Sequence, residues 1–306
     1  MKEAELIDAI EKLNLQNINL LNSKEYKIGE EICKMKILLK QFKIITILKK
    51  FINKKKRKKI NNYIDHEETQ NNFTYKKQNI ENPKIVIYTC ITGGYDKLIS
   101  PLLKFDNIDY IAFTDNKNED NKEWKIKDIP EDIKKINDNI LNNRYIKFHP
   151  YELFGQDYDF SIYVDGNIKI ISNLKDMIYA INEKTGLAMH RHYLRDDICN
   201  EIETCRILKK GNYEKLKEQV DNYKKEGFPN DFGMLECGVI VSNLKNKKGN
   251  EILNSWWKEF QKSESKRDQI ALPYIIWKQG YEIKDVGCIG LNAHKNPKIM
   301  LKLHNT

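Results

Sequence analysis

Five short apolar runs, rich in β-branched and aromatic residues, recur between Lys84 and Ser242 and alternate with stretches of helical periodicity. They are Lys84-Ile85-Val86-Ile87-Tyr88-Thr89-Cys90-Ile91, Asp109 to Asp115, Phe160 to Val164, Gly186 to His190 and Cys237 to Ser242. Helical patterns fall near residues 131–147, 173–183, 195–225, 246–262 and 267–279. Strands that alternate with helices bury both faces of a mostly parallel sheet, so the expected class is α/β. In such sheets ligands bind beyond the carboxyl ends of the strands. That rule gathers Thr89, Cys90, Asp115, Asp165, Asn167 and His190 along one rim.

The most informative tip is Tyr163-Val164-Asp165-Gly166-Asn167, where an apolar strand runs straight into a carboxylate, a glycine and an amide. Asp165 offers a hard oxygen ligand, Gly166 lets the backbone come close, and Asn167 adds a neutral oxygen suited to magnesium or manganese. The same residues also suit an ordinary Asp-Gly turn. The first strand breaks at Gly93-Gly94 without GxGxxG or GxxxxGK[ST], so neither a dinucleotide site nor a P-loop is expected.

A chain of 306 residues with 40% hydrophobic content can bury one large α/β core. Its net charge of +9 resembles a nucleic-acid signal until it is located. Residues 1–79 hold 18 Lys+Arg against 10 Asp+Glu, whereas the remainder holds 35 against 34. A near-neutral main domain argues against a phosphate-backbone binder, so no nucleic-acid partner is expected. The six cysteines form no CxxC pair, the N-terminus has no signal-peptide pattern, and no apolar run is long enough to span a bilayer. These features point to a reducing, cytoplasmic setting, and the abundance of Asn, Lys and Ile points to an AT-rich bacterial genome.

Residues 1–60 read as a basic helical arm, with amphipathic patterns over 4–21 and 26–52 and a run Lys54-Lys55-Lys56-Arg57-Lys58-Lys59. Residues 26–59 suit an anionic membrane surface, which would make the protein peripheral at the inner face of the plasma membrane. A helical hairpin or coiled coil packed on its own domain or on a second subunit fits equally. Residues 61–82 read as a linker, and 83–306 as the main domain.

Several ordered motifs carry a family resemblance. They are Tyr88-Thr89-Cys90-Ile91-Thr92-Gly93-Gly94-Tyr95-Asp96, Phe113-Thr114-Asp115, Arg144 with Lys147 and Pro150, Tyr163 to Asn167, His192 with Arg195 and Glu201, and Arg267-Asp268-Gln269. Over roughly residues 83–290 this series resembles the glycosyltransferase-like domain family once labelled only as a domain of unknown function. That family includes plant cell-wall and mucilage proteins and bacterial polysaccharide-locus proteins. It is similar to the nucleotide-sugar-dependent GT-A superfamily, whose fold is a Rossmann-type mixed, mostly parallel sheet covered by helices.

The resemblance implies a role for each position. Thr89, Cys90 and Ile91 would line the nucleoside, Tyr95 would stack on uracil, and Asp115 would face the uridine. Arg144 and Lys147, three apart on a helix, would reach the diphosphate or sugar, with Gly166, Arg195, Gln269 and Lys295 completing the donor site. Asp165, Asn167 and His294 would hold a divalent cation, manganese or magnesium, although an amide replaces the second acid of DxD. Asp268, His192 and Glu236 are the catalytic candidates, Asp268 also suiting a helix first turn and Glu236 a sugar hydroxyl. His190 and His192 are a weaker metal pair, while Trp256 and Trp257 suit helix packing better than sugar stacking.

The expected activity is therefore transfer of a hexose-type sugar from a nucleotide donor, UDP above all, to a glycan or glycolipid acceptor in bacterial surface polysaccharide synthesis. The Asp-Gln pair resembles that of glycogenin-type enzymes and favours retention. A non-catalytic relative that binds glycan or a partner is the main rival. A membrane-surface hydrolase is a weaker one, because GxSxG and HExxH are absent.

Overall fold

The computed structural model describes residues 3–24, 26–27, 75, 80–116, 119 and 121–303. The second arm helix, the basic run, Cys33 and nearly all of the linker lie outside the described residues.

The main sheet has seven strands: β1 (Ile85–Ile91), β2 (Ile108–Thr114), β3 (Lys125–Asp128), β4 (Phe160–Val164), β6 (Leu187–Arg191), β7 (Leu235–Asn243) and β8 (Gly287–Cys288). Their spatial order is β3-β2-β1-β4-β7-β6-β8. All pairings are parallel except those of β7, which runs antiparallel to both β4 and β6. The mixed, mostly parallel sheet expected from the alternation is thus present, and β6 still points the same way as β4. A second, two-stranded sheet pairs β5 (Ile168–Ile170) with β9 (Ile299–Leu301), which ties the C-terminal segment to the tip of β4.

Continuous apolar runs follow from burial on both faces. On β1, Val86, Tyr88 and Cys90 face one core while Ile85 and Ile87 face the other, and every residue of the strand is buried. The first core is roofed by α3 (Asn139–Phe148), α5 (Ile198–Leu208), α6 (Tyr213–Lys225), α7 (Lys247–Ser263) and α8 (Asp268–Lys278), which follow α1 (Glu3–Asn22) and the short α2 (Glu131–Lys134) in the chain. A further turn of helix, α4 (Pro150–Phe154), follows α3. Trp256 is completely buried, with its ring 4.1 Å from that of Phe148, and Trp257 packs on Tyr145 and Phe260, which confirms both tryptophans as packing residues.

Two expected helices are interrupted where the backbone turns left-handed, and a third takes another form. The pattern over 131–147 breaks at Asn137 (φ 54°), after which Asp138 caps α3 by accepting from the Ile140 and Leu141 amides. The pattern over 195–225 splits at Lys209 (φ 54°) and Gly211 (φ 74°), and Asn212 caps the restart. Residues 175–180 form a 3-10 helix rather than an α-helix.

The first arm helix packs on its own domain. Asn14 donates to the carbonyls of Pro297 (2.8 Å) and Ile299 (3.4 Å), and Lys298 and Ser172 both bond to the Glu11 carboxylate. Among the described residues, no helix is long and apolar enough to cross a membrane.

Candidate active site at the carboxyl rim

The first loop of the rim is built by glycine. Gly93 and Gly94 both hold φ 64°, and a Cβ on Gly93 would come within 2.3 Å of the Asn139 amide. Gly93 N–H donates to Asp115 Oδ2 (2.7 Å), and Thr92 Oγ1 donates to the Asn139 carbonyl (2.7 Å). Asp115 therefore braces the loop across β1 and β2. Thr89, Cys90 and Ile91 are buried, whereas Tyr95 stands 56% exposed beside the rim, where an aromatic face can meet a base.

At the tip of β4, close approach again requires glycine. A Cβ on Gly166 would lie 2.9 Å from Ile91 Cγ1. The Asp165 amide donates to the Gly238 carbonyl (2.9 Å), so β7 holds this tip as well. The β6–β7 register shifts between Met189 and His190, where Met189 pairs with Ile240 but His190 pairs with Glu236. This irregularity brings Glu236 onto the rim beside β6.

Two clusters of charge meet here. In the first, Arg144 and Lys147 project from one face of α3 onto a single carboxylate. Arg144 Nε lies 3.0 Å and Lys147 Nζ 2.9 Å from Asp268 Oδ2, and Lys147 Nζ also lies 3.4 Å from Asp165 Oδ1. The Tyr88 hydroxyl donates to the Lys147 carbonyl (3.0 Å), and Trp256 Nε1 donates to the Asp268 carbonyl (2.8 Å), so core side chains position both partners. Burial works against the charge on Asp268, yet Arg144 and Lys147 outweigh it and hold its carboxyl well below the usual range. Burial likewise works against the two cations, and the carboxylates of Asp268 and Asp165 reverse that, so both titrate above their ordinary values. Arg144, Lys147 and Asp268 therefore stay charged at neutral pH.

The second cluster sits at the ends of β6 and β7. His192 Nδ1 lies 3.2 and 3.1 Å from the Leu194 and Arg195 amide nitrogens, and its Nε2 lies 3.4 Å from Glu236 Oε1. Burial, with the Arg195 guanidinium 3.0 Å from the same nitrogen, pushes the imidazole down to about 3, so it is neutral. Glu201 is buried between Arg195 and Arg267, with His192 Nε2 3.9 Å away. Burial, then the charge of Glu201, raises the Glu236 carboxyl to about 7. Gln269 Nε2 bridges the clusters, lying 3.1 Å from the Leu235 carbonyl and 3.4 Å from Glu236 Oε2, while its amide donates to Asp268 Oδ1.

Some expectations are corrected. His190 does not open onto the rim, since it is fully buried and its Nε2 accepts from Asn296 Nδ2 (2.9 Å). Asp268 stands in the first turn of α8, directly after Arg267 at the cap position, as its spacing suggests. The donors of the expected divalent-cation shell are engaged elsewhere. Asn167 Nδ2 donates to the Lys302 carbonyl, the His294 ring packs edge-on against Tyr193 at 5.4 Å, and Asp165 already faces an ammonium. Among the described residues no group of three or more His, Cys, Asp or Glu side chains could hold a metal ion, so this donor set does not fit the expected shell. Lys295 is half-buried in the 3-10 turn 293–295. Two further contributors went unnoticed in the sequence: Asn143, which donates to the Cys90 carbonyl (2.6 Å), and Lys266, whose ion pair with Asp138 (2.8 Å) joins the start of α3 to the turn before α8. Only their adjacency to Arg144 and Arg267 could have marked them.

Among solved structures, the chain resembles the bifunctional glycosyltransferase WbbM in its apo form, at 11% identity and a TM-score of 0.42, over 70% of this chain and 40% of that one. It also resembles mouse xyloside xylosyltransferase 1 in its apo form, at 9% identity and a TM-score of 0.38, over 67% of this chain and 83% of that one. The chain thus spans well under half the length of WbbM. No curated protein sequence matches it. A family model does match, over residues 51–284, beginning earlier than the motifs near residue 83 and ending before His294 and Lys295. The rim motifs from Tyr88 to Gln269 all fall inside that match, and the chain belongs to the TOD1/MUCI70 glycosyltransferase-like domain family.

Proposed function

We propose that the protein transfers a hexose-type sugar from a nucleotide donor, UDP-linked in the first instance, to a hydroxyl of a glycan or glycolipid acceptor. The observation that carries this reading is the pairing of the two clusters: fixed cations at Arg144 and Lys147 beside a carboxyl at Glu236 poised near neutrality.

The donor's nucleoside lies along the end of β1, with Tyr95 against the base and Asp115 bracing the glycine loop beneath it. Its diphosphate faces Arg144 and Lys147, which stabilise the charge that grows on the leaving group. Glu236 keeps 24% of its side chain exposed and faces the acceptor. As the acceptor oxygen bonds to the anomeric carbon, its proton passes to Glu236, beside which the His192 ring is held in place. Asp268 does not suit the base, because its carboxylate is already held between two cations. This arrangement favours direct displacement with inversion over the retention suggested by Arg267-Asp268-Gln269.

Incubation with a panel of sugar nucleotides and candidate acceptors, followed by release of nucleoside diphosphate, tests the activity. Turnover that depends on Glu236 supports it, whereas the absence of turnover and of nucleotide binding removes it in favour of a binding role. The anomeric configuration of the first-formed product, read by NMR, separates inversion from retention. A role in bacterial surface polysaccharide synthesis and attachment to anionic membrane through residues 26–59 belong to the same proposal. Deletion of residues 1–60 should abolish liposome binding while sparing nucleotide binding, and unchanged liposome binding would remove the membrane element.

A further inference from the structure

The place expected for a divalent cation is held by an amine. Lys147 is 1% exposed, with its Nζ 3.4 Å from Asp165 Oδ1 and 2.9 Å from Asp268 Oδ2, and 5.1 Å from the centre of the Tyr163 ring. A buried ammonium is retained only where carboxylates and hydrogen bonds offset its desolvation, and this one has two carboxylates and an aromatic face. Arg144 reaches the same Asp268 oxygen. Asn167, the partner a metal would need after Asp165, is turned to the C-terminal segment: its Nδ2 donates to the Lys302 carbonyl, and its own carbonyl accepts from the Lys302 amide. A divalent ion bound to Asp165 would sit a few ångströms from the Lys147 ammonium, which is itself buried, and the two like charges would repel.

We propose that Lys147, assisted by Arg144, is the built-in counter-charge for the donor's diphosphate, so that donor binding and sugar transfer proceed without a divalent cation. The inference rests on the nucleotide-sugar reading above. When the bond from the anomeric carbon to the diphosphate oxygen breaks, its electron pair stays on that oxygen, and the charge gained there is met by the ammonium. The acceptor oxygen forms the new bond, its proton goes to Glu236, and no redox partner is required. Asp165 then acts as a positioning residue that aims Lys147 rather than as a metal ligand.

The test is UDP binding to the full chain by calorimetry, in chelator and in manganese, with manganese occupancy read separately by electron paramagnetic resonance. The wild-type chain is expected to bind UDP with affinities that agree within about twofold in the two conditions and to show only free manganese. Lys147→Met should lose about tenfold or more in chelator and regain part of it in manganese, because Asp165 is then open to the ion. Lys147→Arg keeps the charge, and metal-independent binding by that variant covers the case in which the methionine variant does not fold. A wild-type affinity that rises about tenfold in manganese, with a bound-manganese signal, overturns the inference and leaves the transferase reading standing. UDP binding by Lys147→Met in chelator that matches the wild type overturns it as well. Wild-type protein that binds no UDP in either condition overturns the nucleotide-sugar reading and this inference with it.

Discussion

The two charged clusters on the rim are made of the same kinds of side chain and behave in opposite ways. Around Asp268, two cations converge on one oxygen and the carboxylate is fixed in its ionised form. Around Glu236, the cations Arg195 and Arg267 are drawn to Glu201 instead, and burial lifts the Glu236 carboxyl to about 7. A neighbour's charge therefore counts only where geometry aims it. In the proposed reaction the first cluster is the electrostatic fixture that meets the leaving diphosphate, and the second supplies the proton acceptor, in working range at neutral pH.

Removing one charge from the fixed cluster should produce the largest effect. Asp268→Asn leaves Arg144 and Lys147 buried against a neutral amide, and the expected loss is about 3–5 kcal/mol of stability by denaturant unfolding, together with loss of transfer. A change under about 1 kcal/mol would mean that the cluster is solvated and the contrast is false. In the poised cluster the effect should fall on rate instead. Glu236→Gln should lower kcat by about 10²–10⁴-fold while leaving nucleotide affinity unchanged in titrations. An equal loss in Asp268→Asn and Glu236→Gln, in both stability and rate, would erase the distinction.

The two carboxyls also differ in the sign of their linkage to pH. The folded-state value of Glu236 lies above its usual one, so its contribution to stability is complete below about 4.5 and is lost as pH rises through about 7. Above pH 7, Glu236→Gln should accordingly be more stable than the wild type by about 1–3 kcal/mol, while wild-type kcat/KM rises with pH through about 7. Asp268 lies below its usual value, so its contribution is present above about 3.8 and disappears as pH falls through the depressed value. A pH–rate profile that is flat across neutrality would contradict the assignment of Glu236.

Smaller effects sharpen the boundary between the rim and its scaffold. Gly166→Ala forces a Cβ to within 2.9 Å of Ile91 and should cost about 1–3 kcal/mol in thermal unfolding, because that neighbour is buried. Tyr95→Ala should alter stability by less than about 0.5 kcal/mol, since the ring is exposed, while weakening nucleotide binding severalfold. Unchanged nucleotide affinity would free Tyr95 from the donor site.

The strands were legible in the sequence because burial on both faces writes itself as unbroken β-branched runs, as in Ile85-Val86-Ile87. The helix breaks at Asn137 and Lys209 were not, because a left-handed residue other than glycine leaves little local signal. Within the site, Arg144 and Lys147 could be placed on one helix face from their spacing, but their target could not. Asp268 lies 121 positions from Lys147, and only the packing of α8 through Trp256 brings it there. His190 illustrates the reverse limit: its place at a strand end suggested the rim, whereas its side chain turns inward to Asn296. Sequence spacing fixed which strand each group stands on, and tertiary packing decided which charges meet.

The most direct test of the account is a crystal structure of the chain with an uncleaved sugar nucleotide. The diphosphate is expected against Arg144 and Lys147, with the anomeric carbon turned toward Glu236. A diphosphate bound away from both cations, or a sugar facing away from Glu236, would contradict it.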